Sequence, residues 1–199
     1  MILDLAFELA GTIRHDGHGG VADDLTEPAA LSAWVRERAN RLGAWANDFT
    51  ADEQTHATVL TLRAGVRTLF AYAVRPGPSS RADAHRLLPL DEALRRVNTA
   101  AADVPVTPLL QWDPAEPAPV ARIVAMPASP RQALASALAR AAIDFLAGPH
   151  RQNLRACTAP RCVRYFIKGH GRQEFCKASC SNRARAARHY QRHQGAPET

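Results

Sequence analysis

Four cysteines, Cys157, Cys162, Cys176 and Cys180, are the only thiols in the chain, and all lie near its C-terminal end. They form two close pairs, Cys-x4-Cys and Cys-x3-Cys, separated by thirteen residues. That is the paired layout of a structural zinc site, because a tetrahedral zinc ion takes four soft ligands at about 2.3 Å and four thiolates close its coordination shell. The same four residues could form two disulfides. The chain start lacks the basic stretch and apolar core of a secretory signal, so a cytoplasmic setting and a single structural Zn2+ are expected. His189 and His193, also four apart, have ligand chemistry too. Lying beyond Cys180, they read as solvated or phosphate-facing.

The elements that must position these thiols can be read from the residues between them. Cys157-Thr-Ala-Pro-Arg-Cys162 holds a proline suited to a tight turn. Val163 to Ile167 and Gln173 to Phe175 can pair as short strands across Lys168-Gly-His-Gly-Arg172, whose two glycines suit a hairpin loop. On a helix beginning near Cys176, Cys176 and Cys180 share one face. The expected shape is a knuckle, a hairpin and a helix, close to a treble clef.

Cys176-Lys-Ala-Ser-Cys180-Ser181-Asn182-Arg183, followed by a basic helix, resembles the CGNR zinc finger. That finger is joined in its family to an N-terminal domain called ABATE, and the opening LDLAFELAGTIRHDGHGGVADDLTEP, then ALSAWV, is similar to that domain's start. Val97-Asn98 is similar to its central Asn. The chain departs from the family pattern at four places: Ser181 replaces a Gly, Lys168 an acidic residue, Gln173-Glu174-Phe175 an Arg-Arg-Trp, and Gly11-Thr12 an Asn-Thr. The resemblance implies a stress-induced bacterial transcription regulator, with a region near the front suspected of ligand binding. It also singles out Asn182 and Arg183, read here as structural: Asn182 bonding the knuckle or a phosphate, Arg183 bracing the zinc thiolates or the N-terminal domain.

Charge separates the chain in two. The formal +6 arises from a net +9 in residues 150–199, where eleven Arg or Lys meet only Glu174 and Glu198, and −3 in residues 1–149. A basic module on a mildly acidic body is the electrostatic footprint of polyanion binding, and four thiolates around zinc offset only −2 of it. Along a helix from about Cys176 to His193, Arg185, Arg188 and Arg192 fall in one narrow sector with His189 beside them, while Ala186, Ala187 and Tyr190 lie opposite. Arg164, Lys168 and Arg172, with Arg161, could extend this surface toward the phosphates of duplex DNA. A merely solubilising tail is the bland alternative.

Ahead of the finger, the expected fold class is mainly α, an α+β chain with a helical domain over residues 1–149 carrying a small β-hairpin, then the treble-clef-like finger over 150–199. Ile2 to Ala10 reads as a short helix or strand with Asp4 and Glu8 four apart, and His15-Asp-Gly-His18-Gly-Gly as a flexible loop rather than a metal site. A helix is expected from Thr26 to about Asn40, and a long central one from the box Thr50-Ala-Asp-Glu53 to about Val74. Its stripe of Val59, Leu62, Val66, Leu69, Phe70 and Ala73 should be packing. Ser80 to Leu88 and the stretch after Pro89 give two further helices. The seven prolines between Val104 and Pro130 frame two strands, Val106 to Trp112 and Val120 to Ala125, expected as an edge hairpin. The helix after Ser129-Pro130 buries Leu134, Leu138, Ala141, Phe145 and Leu146, and the short link from Pro149 to Leu154 implies docked modules.

No apolar run approaches the ~20 residues needed to cross a bilayer. The leading expectation is a non-enzymatic, cytoplasmic, nucleoid-associated DNA-binding regulator, with a small-molecule effector at the N-terminal domain and a homodimer to supply specificity that one finger lacks. The alternative is an RNA- or protein-binding zinc module, in which Tyr165 and Phe166 would be exposed for stacking. A nuclease would need an open metal position and a base such as His170, so no enzyme is expected.

Overall fold

The computed structural model describes residues 5–18 and 20–194. The reading of Asp4 and any reading of the His193 side chain lie outside the described residues. Seven α-helices are described: α1 (Leu5–Gly11), α2 (Pro28–Arg36), α3 (Ala39–Leu42), α4 (Glu53–Ala73), α5 (Leu90–Ala102), α6 (Pro130–Ala147) and α7 (Ala178–Gln194). Six strands pair only as three separate antiparallel ribbons: β1 (Ile13–His15) with β2 (Val21–Asp23), β3 (Val106–Gln111) with β4 (Val120–Ala125), and β5 (Leu154–Ala156) with β6 (Tyr165–Ile167). The mainly α, α+β class is therefore as the sequence indicates.

Helix α4 is the central element. Val59, Leu62, Val66, Leu69 and Phe70 are buried at the expected spacing, and α1, α5 and α6 pack around it. Helix α5 packs against α4 at Gly65, where a Cβ would just reach van der Waals contact with the Ala93 carbonyl at 3.4 Å. The helix starts two residues later than the Thr50 box implies: Asp52 is the extended N-cap and accepts from Thr55 N at 2.7 Å. Helix α6 opens on a full capping box between Ser129 and Gln132.

Three other boundaries differ from expectation for identifiable reasons. The helix read over 26–40 begins at Pro28, because Glu27 stays extended. It breaks at Arg38, whose backbone leaves helical geometry while its guanidinium bonds the Trp34 carbonyl and Glu8. In place of a helix over 80–88 there is one 3-10 turn, Arg81–Asp83, started by Ser80 Oγ accepting from Ala82 N. The stretch read as a loop joins β1 to β2, and within its described residues Asp16 Oδ1 accepts from His18 N and Gly20 N.

One hydrophobic core runs from the helical bundle into the start of the finger. Leu154, Ala156 and Tyr165 belong to it together with Leu9, Phe70, Leu138 and Phe145. The Tyr165 ring meets Phe70 edge-on at 5.6 Å, and Phe70 lies 5.2 Å from Phe145. The Tyr165 hydroxyl donates to Asp83 at 2.6 Å, Arg67 binds the same carboxylate with two nitrogens, and Ser80 Oγ donates to the Val163 carbonyl at 2.7 Å. Burial, then the adjacent Asp83 carboxylate, pushes the Tyr165 phenol well above its usual range. The finger is thus docked through a buried, hydrogen-bonded joint.

Candidate metal centre and basic surface

The finger is built from two short loops folded together by a strand pair. Residues 157–162 form the knuckle: Cys157 N donates to Arg164 O at 2.9 Å and Cys162 N to Ala159 O at 3.0 Å. Arg161 closes the turn in the left-handed region, at φ 64°. The strand that returns from the knuckle, β6, pairs with β5 preceding it, in the register Leu154↔Ile167 and Ala156↔Tyr165. This corrects the expected pairing of Val163–Ile167 with Gln173–Phe175. The apolar residues decide it, because Leu154 and Ala156 are buried beside Tyr165 whereas Gln173 and Glu174 are polar. Helix α7 begins at Ala178, so Cys176 lies on the turn before it and Cys180 in its first turn.

These elements bring all four sulfurs together, within 4.8 Å of one another. The Cys162–Cys176 and Cys176–Cys180 separations are 3.7 and 3.5 Å, close to the ~3.8 Å edge of a tetrahedron with ~2.3 Å metal–sulfur bonds. Cys157, Cys162 and Cys180 are buried, Cys176 is half-buried, and none is in a disulfide. The thiols share their protons unequally through their mutual hydrogen bonds. Hydrogen bonds from Cys162 and Cys176 hold Cys157 down to about 3, and the hydrogen bond with Cys157 pushes Cys176 above the usual thiol range. Four thiolates at this distance repel unless a positive ion lies among them. Among the described residues this is the one cluster of His, Cys, Asp or Glu that could hold a metal; His189 has no place in it.

Arg183 sits against this cluster. Its Nη2 donates to Cys180 Sγ at 3.1 Å and its Nη1 lies 3.0 Å from His15 Nε2, so one side chain spans from the metal site to the β1–β2 turn. The His15 contribution was not legible in the sequence, where that residue is a metal-ligand type that reads as part of a flexible loop. Asn182 is exposed and accepts from Arg185 Nη2 at 3.2 Å.

The basic residues do not form one patch. Arg185, Arg188 and Arg192 are exposed along one side of α7, spread over about 10 Å of its axis. Arg172 lines a hollow at the start of α7 with Lys177 and Ser181. Arg164 turns instead to a cleft of about 750 Å³ lined also by Glu8, Asp24, Trp34 and Arg38. Lys168 is half-buried at the end of β6, its backbone N–H bonded to Asn153 O at 2.8 Å. The expected packed face of Ala186, Ala187 and Tyr190 is mostly open. Ala184 is buried and Ala187 half-buried, but Ala186 is exposed and Tyr190 is 64% exposed, so the outer half of α7 stands clear of the body. Tyr165 and Phe166, each 6% exposed, offer no ring to a base.

A helical body that clamps a four-cysteine treble-clef-like finger, with a basic helix leaving it, defines a zinc finger protein. Comparison with known families places it further: residues 3–149 match ABATE, described as a putative stress-induced transcription regulator, and residues 153–193 match the CGNR zinc finger. The chain belongs to the ABATE family, with a CGNR finger at its C-terminal side. No curated protein matches the chain significantly. Among the described residues no helix is long and apolar enough to cross a membrane.

Proposed function

We propose that the protein is a non-enzymatic, cytoplasmic transcription regulator that binds duplex DNA through α7, with one structural Zn2+ held by Cys157, Cys162, Cys176 and Cys180. One observation carries the reading: no Arg or Lys from residue 150 to 194 forms an ion pair with a described carboxylate. Such a surface is completed by an external polyanion, and Arg185, Arg188 and Arg192 are spaced for phosphates along a groove. Zinc fits an all-thiolate set of this size, and a closed four-sulfur shell leaves it no open position for catalysis. The cleft around Trp34, Arg38 and Arg164 is the place for a small effector, because it lies where the helical body meets the finger.

The test is duplex-DNA binding by the zinc-loaded protein across a salt series, beside the variant R185A/R188A/R192A. The expected log–log slope is about −4 to −5, and the variant should lose roughly three units of it while keeping its zinc and its melting temperature. A wild type that holds one zinc yet binds no duplex at low salt would overturn the reading. Tyr190 is the exposed ring on α7, so tighter binding to single strands that fails on Tyr190→Ala would favour an RNA-binding role instead.

A further inference from the structure

The β3–β4 ribbon leaves the body between α5 and α6 and is covered by nothing. Every residue of β4 and all of β3 after Val106 are exposed. An antiparallel register fixes which side chains share a face. Val106↔Ala125, Pro108↔Ile123 and Leu110↔Ala121 lie on one face, with Trp112 next in the same alternation, and that face carries no polar side chain. Leu110, Trp112 and Ile123 on that face are between 63 and 69% exposed. Two paired strands alone are marginal in water, and soluble chains seldom leave an apolar patch of this extent open.

The apolar face does not stop at the arm. Ile123 and Ala125 also line a groove of about 590 Å³, whose floor is Leu42, Trp45 and the Ala133, Ala137, Ala141 side of α6. Knob and hole are therefore neighbours on one molecule. Each side is apolar over most of its lining, and the charges on the groove walls are already matched, Arg41 with Glu8 and Arg140 beside Asp144. Two copies related by a two-fold axis can exchange these surfaces reciprocally. Each arm offers roughly 500 Å² of apolar side chain, so two arms on two grooves cover on the order of 2,000 Å². That is the size of a stable, specific interface. A nucleic acid does not suit this face, which lacks any cation on its apolar side.

We infer that the β3–β4 arm is a homodimerisation element whose apolar face seats in the α6 groove of a second copy. This rests on the arm alone and stands whether or not α7 binds DNA. Sedimentation equilibrium of the full zinc-loaded chain should give twice 21.6 kDa at tens of micromolar. The variant L110E/I123E should weaken association at least ~100-fold while retaining its zinc and helical circular dichroism. A wild type that stays monomeric, a variant that dimerises unchanged, or an open-ended assembly would each overturn the inference. Should the variant not fold, hydrogen exchange on the wild type decides: protection of residues 106–125 must rise with protein concentration, and exchange that is equally fast at all concentrations counts against the arm.

Discussion

In the helical body, Arg63 and Arg67 are buried on α4, and each meets a carboxylate, Asp23 for the first and Asp83 for the second. On α7, Arg185, Arg188 and Arg192 are exposed and meet none among the described residues. The contrast shows that the excess of arginine in this chain has two uses that composition cannot separate. Inside the body a guanidinium with two-nitrogen geometry ties distant segments: Arg67 joins α4 to the 3-10 turn and donates to the Ala10 carbonyl, and Arg63 donates to both Asp23 and Thr12. On α7 the same group meets no described carboxylate, Arg185 bonding only the neutral Ser181 and Asn182, and its charge is available.

The sharpest way to break this contrast is to remove the metal proposed to organise the finger. Cys176→Ser, or chelation, should abolish both the finger's fold and the proposed DNA binding, since ligand binding and folding are one equilibrium in so small a module. Melting of the helical body should also fall, because Leu154 and Tyr165 are shared with its core. Zinc content, circular dichroism and DNA binding on one sample check this; a body that melts unchanged would show that the joint contributes nothing.

A smaller effect is expected at the joint itself. Asp83→Asn leaves Arg67 buried opposite a neutral amide, which should cost about 3–5 kcal/mol. Tyr165→Phe, which removes one hydrogen bond to the same carboxylate, should cost about 1–2 kcal/mol. Thermal or urea unfolding measures both. Substituting the exposed α7 arginines should leave the same curves nearly unmoved, so equal losses on both surfaces would erase the distinction.

The least effect concerns acid. Burial acts to raise the Asp23 and Glu8 pKa values, but hydrogen bonds from Arg63 to the first and from Arg41 and Arg38 to the second outweigh it, and both lie below the ordinary carboxylate range. A depressed folded-state pKa means stability that is full above the unfolded value, near ~4, and is lost as pH falls through the folded one. Stability should decline in that acid window, and Asp23→Asn should flatten part of the decline. A slope identical in wild type and variant would exclude Asp23 as a contributor.

The legible and illegible parts of this chain differ in range. Helix α4, the capped α6 and the cysteine quartet depend on periodicity, a capping box and ligand spacing, all local signals. The β5–β6 pairing was missed because both candidate partners of Tyr165–Ile167 lie close in sequence, and burial against the helical bundle chose between them. Arg67, Asp83 and Tyr165 are separated by 16 and 82 positions, so no local pattern could join them. The β3–β4 strands were readable from alternation, but that they form an arm without a sheet is a fact about what fails to pack against them.

Tyr165 has a consequence for how such proteins can be rearranged over time. The two family matches end and begin at residues 149 and 153, as though the finger were a cassette that any body could borrow. Its ring, however, is wedged beside Phe70, and its hydroxyl is received by a carboxylate sixteen positions beyond the arginine that neutralises it. A transplanted finger would arrive with that ring bare, and a body stripped of it would keep a hole at its centre. Recombination at this seam should succeed only between chains that carry the same lock, so the pair is inherited together.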